Sequence, residues 1–117
     1  MAHRIDGRKL GRKTGPRRAL YASLVVAVLR YERIRTTEAR ANEVRGMVER
    51  VITRAKGGSL AERRRIIAEL PDEPLVIDKL YDEIVPRYGD RNSGYTRVVK
   101  LGPRAGDAAP IVQLELV

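Results

Sequence analysis

Between Glu38 and Lys56, small and branched aliphatics return with the period of an α-helix. Ala41, Val44, Val48, Val51, Ile52 and Ala55 fall on one face, and Arg40, Glu43, Arg50 and Arg54 on the other. Thr36 or Thr37 stands as the cap, Glu38 sits favourably in the first turn, and Lys56 followed by Gly57-Gly58 is a C-terminal stop. Phe and Trp are absent and Tyr numbers only five, so the core that this stripe faces is aliphatic. A chain of 117 residues fits one domain and is long enough to bury such a core.

The neighbouring segments supply further helices. After Pro16, well placed as a first helical residue, Leu20, Leu24, Ala27, Val28 and Tyr31 form a stripe that Tyr21, Val25 and Leu29 broaden. So wide an apolar surface predicts a helix buried on more than one side. Its apolar run is too short to span a membrane. Ser59-Leu60-Ala61-Glu62 is a capping box opening a third helix that ends at Leu70-Pro71, with Leu60, Ile66, Ile67 and Leu70 expected inward. A fourth runs from about Glu73 to Val85, with Ile77, Leu80 and Ile84 inward and Pro86 ending it. Its carboxylates Asp78, Asp82 and Glu83 read as solvated surface.

Strand signals are shorter. RYERIRTT, residues 30–37, changes period, with Ile34 alone inward, and reads as a short strand. YTRVVKL (95–101) and IVQLELV (111–117) alternate around the turn-rich loop GPRAGDAAP, and are expected to pair antiparallel. In the last strand Val112, Leu114 and Leu116 share one face, Gln113 and Glu115 the other. The fold class is α+β.

Charge then separates the chain into unlike parts. The net charge is +9, and residues 1–18 alone carry seven cations against Asp6. Residues 59–90 carry a net −3, an unlikely phosphate-binding face. Arginine outnumbers lysine nineteen to five, and its planar fork suits phosphate oxygens and base faces better than a point charge does. Residues 1–15 hold Gly7, Gly11 and Gly15 and show neither period, so they are expected to be an extended basic arm that takes order from a polyanion. Residues 16–117 then form a single globular domain.

No catalytic constellation accompanies this charge. His3 has no partner in sequence, Ser23, Ser59 and Ser93 have no nearby base, and GRKLGRKTG does not match a phosphate loop. Cys is absent, which removes disulfides and thiolate metal sites and fits a reducing interior. No catalytic residue, metal or cofactor is therefore assigned, and a soluble intracellular protein without membrane attachment is expected. Binding remains, and three basic regions can share it: His3, Arg4, Arg8, Lys9, Arg12, Lys13, Arg17 and Arg18 in and beside the arm; Arg33 and Arg35 on the first strand; and Tyr95, Arg97, Lys100 and Arg104 on the C-terminal hairpin. Aromatics are too few for base-stacking platforms, and no separate recognition helix is visible, so structured, phosphate-dense RNA is the preferred ligand.

HRIDGRKLGR near the start, IRTTEARANEVRGMVERVITRAK in the middle and SGYTRVVKLGPRAGDAAPIVQLELV at the end resemble the bacterial large-subunit ribosomal protein seventeen family. The resemblance runs through essentially the whole chain, in order. It departs from the family pattern at Asp6, at Pro16-Arg17 and at Ala22-Ser23-Leu24. What the resemblance implies is a structural protein of the cytoplasmic ribosome that binds large-subunit ribosomal RNA near the rim of the polypeptide exit tunnel. Neighbouring large-subunit proteins would be its other partners, with no homo-oligomer. The family fold it implies is about four helices on a small three-stranded mixed sheet. Arg4, Arg8, Lys9, Leu10 and Arg12 match the RNA-penetrating arm, Thr36 and Thr37 the helix start, and Tyr95, Thr96, Arg97, Arg104, Gly106 and Asp107 the hairpin. The alternatives are a free-standing basic architectural protein on nucleic acid, and an adaptor that uses the acidic 59–90 face.

Overall fold

The fold is organised around the long amphipathic helix. In a computed structural model of the chain, residues 14–70 and 73–117 are described, with side chains from Arg17 onward. Helix α1 (Thr14–Tyr31) leads into strand β1 (Arg33–Thr37), then α2 (Glu38–Gly57) and α3 (Leu60–Glu69). The fourth helix, α4, is α-helical over Pro74–Lys79, widens to a π-helix over Leu80–Ile84 and closes with an α-helical turn over Val85–Arg87. Strands β2 (Thr96–Pro103) and β3 (Pro110–Leu116) complete the chain. The predicted caps are in place at α3, where Ser59 Oγ accepts the Glu62 N–H at 3.1 Å, and at the end of α2, where Gly58 adopts φ 71° and its N–H reaches the Ala55 carbonyl. Thr37 occupies the cap position of α2, though its side chain makes no capping bond.

The three strands lie in the order β1-β3-β2 and both pairings are antiparallel. This corrects the mixed sheet implied by the family resemblance. The two strands that run in the same direction, β1 and β2, are separated by β3, so no parallel ladder forms. Register places Ile34 and Val98 opposite Leu114, and Thr36 opposite Val112. That face packs on α1 and α2, burying Val112, Leu114 and Leu116 with Val25, Val28, Leu29, Val44, Val48 and Ile52. Each such aliphatic contributes about 1.5–3 kcal/mol on leaving water. A bulge between Lys100 and Gly102, the latter at φ 112°, bends the hairpin end of β2.

Four details differ from the pattern read off the sequence. Helix α1 begins at Thr14, two residues before Pro16. Tyr31 is exposed rather than inward, because the chain turns out of α1 at Glu32, which has φ 65°. Leu60 and Ile67 of α3 are exposed as well: this ten-residue helix packs chiefly on α2 and buries only Ile66 and the following Leu70. Pro86 does not end α4. The preceding π turn bonds the Val85 N–H to the Leu80 carbonyl, and one further turn passes through the proline, which needs no acceptor.

The Glu32 corner ties three elements together. Its carboxylate takes Arg87 at 2.5 and 3.2 Å and Lys79 at 3.1 Å, while its carbonyl accepts the Leu116 N–H. The Arg87 hydrogen bonds, aided by Lys79 and opposed by partial burial, lower the Glu32 carboxyl from 4.5 to about 2. A carboxyl with a lowered folded-state pKa stabilises above its unfolded value and loses that contribution as pH falls through the folded one. Glu32→Gln should therefore lower Tm by about 1–4 °C at neutral pH. Melting curves of the two proteins should converge between pH 4.5 and about 2; a gap that persisted at pH 2 would show that the ion pairs are not its source.

Candidate nucleic-acid interface

Because the sheet is covered by helices on one side only, its alternate residues form a second, open face. Cross-strand register assembles Arg33 and Arg35 of β1, Gln113 and Glu115 of β3, and Arg97 and Val99 of β2 on that face. Among the described residues no element packs over it. Arg33 and Arg97 stand on either side of Glu115, and Arg97 Nε bonds its carboxylate at 3.0 Å. Arg33 and Arg35 have no ion pair or hydrogen bond among the described residues, and they project from an ordered strand into solvent. Two unpaired guanidiniums 2 residues apart on one strand face are spaced to meet a phosphate backbone.

Other predicted site residues take different places. Arg18 is exposed on α1 and borders a groove of about 740 Å³ between α1, α2 and α3, with Arg50 and Arg54. Arg54 is engaged with Glu69 at 2.9 Å. Arg17 is only 3% exposed and lies 6.0 Å from the Tyr21 ring centre, a packed position rather than a surface one. Lys100 is exposed but lies opposite Val112, on the helix-facing side of the sheet near its end, so it does not join Arg97. Arg104 is bound to Asp107 at 3.1 and 2.5 Å inside the β2–β3 turn, and this pairing with the Ala109 N–H holds the Asp107 carboxyl at about 2. His3, Arg4, Arg8, Lys9, Arg12 and Lys13 lie outside the described residues.

Tyr95 is a correction to its expected surface role. It is 0% exposed, packs 5.1 Å from Tyr88, and its hydroxyl lies within hydrogen-bond reach of Lys56, Thr53 and the Arg91 carbonyl. The alternation of YTRVVKL places Tyr95 beside Thr96 at the start of the strand. Its place beside the basic hairpin residues put it with the binding set, while the absence of Phe and Trp leaves tyrosine as the only large aromatic for the core.

Sequence reasoning also missed what aims Arg97. Glu49 on α2 accepts the Gly94 N–H at 3.0 Å, the Thr96 N–H at 3.0 Å and the Thr96 hydroxyl at 2.7 Å. Arg45, one turn earlier, donates to the Thr96 hydroxyl and carbonyl. This clamp fixes the first residue of β2 on α2 and so fixes the register that exposes Arg97. The only available sequence signal was that Arg45 and Glu49 are four apart on the polar side of α2.

Comparison with known proteins identifies the family. A family profile described as "Ribosomal protein L17" matches residues 20–117, the whole globular part from early α1 onward. The chain belongs to the ribosomal protein L17 family. The large ribosomal subunit protein bL17 of Caldanaerobacter subterraneus subsp. tengcongensis is 56% identical over 110 residues, 94% of this chain and 97% of that protein. The protein of the same name from Dehalococcoides mccartyi is 46% identical over 117 residues, 100% of this chain and 99% of its own length. That from Clostridium acetobutylicum is 50% identical over 110 residues, 94% and 96% of the two chains. The profile's span takes in the quoted middle and C-terminal motifs. Among the described residues no cluster of His, Cys, Asp and Glu could hold a metal ion, and no helix is long and apolar enough to cross a membrane.

Proposed function

We propose that this chain is a structural constituent of the large ribosomal subunit. In this reading it is not an enzyme, works in the cytoplasmic ribosome, and binds and stabilises folded large-subunit ribosomal RNA near the rim of the exit tunnel. The observation that carries the RNA-binding part is the open sheet face, where Arg33, Arg35 and Arg97 are held on rigid strands against a single carboxylate. The basic front segment, with its net +6 over residues 1–18, adds the larger share of charge. Family membership and the names of the relatives support the ribosomal setting, and the location near the tunnel rim rests on the resemblance of the arm and hairpin motifs. Neighbouring large-subunit proteins complete its contacts, and one copy per subunit without self-association fits this role.

Electrostatic binding of this kind has a measurable signature. With ~8 cations each neutralising one phosphate, the log–log salt dependence of association has a slope of about −5 to −7. Replacing Arg33, Arg35 and Arg97 with Ala should make that slope shallower by about 2, with far-UV circular dichroism unchanged. Fluorescence anisotropy on a large-subunit RNA fragment across a salt series reads this directly. An unaltered slope would remove the sheet face from the interface. Cofractionation with large subunits through a moderate salt wash, with a protection footprint on RNA around the tunnel exit, tests the setting; uniform distribution on chromosomal DNA would overturn it.

A further inference from the structure

The side of the molecule built from α3 and α4 is mixed in charge, with Arg63, Arg64 and Arg65 on α3 and unpaired carboxylates gathered on α4. A groove of about 360 Å³ runs between these helices, with apolar walls from Ile67, Leu70, Pro74 and Ile77 and with Glu73 and Asp78 among its lining residues. Beside it, Ile67 is 50% exposed and Leu75 is 78% exposed, large aliphatics that no described element covers. Asp82 and Glu83 follow Asp78 by four and five residues, and the π-helical stretch, with its wider turn, keeps both close to the Asp78 side of α4. Asp78, Asp82 and Glu83 have no hydrogen bond or ion pair among the described residues. Arg63 also lines the groove, with its guanidinium laid over the Tyr81 ring at 4.4 Å.

We propose that this groove is a protein-docking surface whose occupant is a Lys/Arg-bearing polypeptide segment with an apolar anchor, contributed by another protein of the same particle. The inference rests on the ribosomal reading given above. The unpaired carboxylates of α4 disfavour a phosphate backbone at this groove, and exposed Leu75 and Ile67 gain by leaving water. A basic segment satisfies both demands at once: its cations meet Asp78, Asp82 and Glu83 while an aliphatic side chain enters the groove between Ile67 and Pro74. A second copy of this chain fits less well, since its basic surfaces are the ones committed to RNA.

Photo-crosslinking in assembled particles tests this. A benzophenone amino acid replaces Leu75, and large subunits carrying the variant chain are purified and irradiated. The expected product is an adduct to a different protein, at a peptide with several Lys or Arg within a few residues of the attachment point. Adding Asp78→Lys and Asp82→Lys should leave incorporation into subunits intact and reduce the adduct roughly tenfold. An adduct to RNA, an adduct to a second copy, no adduct, or an undiminished yield in the charge-reversed chain each overturns the proposal. Absence of the wild-type chain from large subunits overturns the ribosomal reading and this inference together, whereas its presence with an RNA adduct overturns this inference alone.

Discussion

Deleting residues 1–13 should leave a folded domain that no longer stays on the large subunit. The cut falls just before Thr14, where α1 begins, and every buried aliphatic among the described residues lies at Val25 or beyond. Tm should therefore move by no more than about 3 °C, and far-UV circular dichroism should remain that of a folded α+β domain. The deleted segment contains Arg4, Arg8, Lys9, Arg12 and Lys13 against Asp6. If these five cations each displace condensed counterions, the salt slope becomes shallower by about 4 and affinity at physiological salt falls on the order of a thousandfold. The Arg33, Arg35 and Arg97 face remains, so weak, salt-sensitive RNA binding persists while incorporation through a moderate salt wash is lost. Normal incorporation of the shortened chain would mean that the globular domain alone carries recognition.

The legible parts of this fold are those in which one local signal decides. The stripe from Ala41 to Ala55 has one apolar face, and each of its six residues is buried. The Ser59 capping box and the Gly58 stop were equally readable, because both are chemistry between near neighbours in sequence. The failures occurred where a distant element decides. Leu60 and Ile67 have helical spacing, but α3 is short and has only a narrow contact to bury, so apolar character did not imply burial. Tyr31 continues the α1 stripe in sequence, yet the turn at Glu32 carries it out of the core.

The same division runs through the candidate interface. That Arg33 and Arg35 point one way was contained in the alternation of RYERIRTT. That Arg97 joins them, that Lys100 does not, and that Tyr95 is interior required the β1-β3-β2 order and its register. A strand two neighbours away cannot be inferred from alternation, because either face of β2 could have met the helices. The Glu49 and Arg45 clamp on Thr96 settles which one does. The make-up of this open sheet face is thus specified by contacts on the opposite, helix-covered side.

Val48→Asp should abolish the native state. Val48 is 0% exposed, on the face of α2 that meets α1 and the sheet. Removing its branched side chain forfeits about 1.5–3 kcal/mol of transfer free energy. Placing a carboxylate there adds the burial of a charge or, if it protonates, of an unpaired hydroxyl, at several kcal/mol more. Arg45, one turn away, is committed to Thr96, and drawing it inward would release the start of β2. The combined loss is comparable with the whole ~5–15 kcal/mol stability of a domain. Asn42→Asp is the matching control: it introduces the same carboxylate on the exposed side of the same helix and should change stability by less than ~0.5 kcal/mol. Circular dichroism at 222 nm on both variants at 25 °C separates the outcomes, with the control native and Val48→Asp largely unfolded. A cooperative melt for Val48→Asp within a few degrees of wild type would mean that the aliphatic face of α2 does not hold the helices and sheet together.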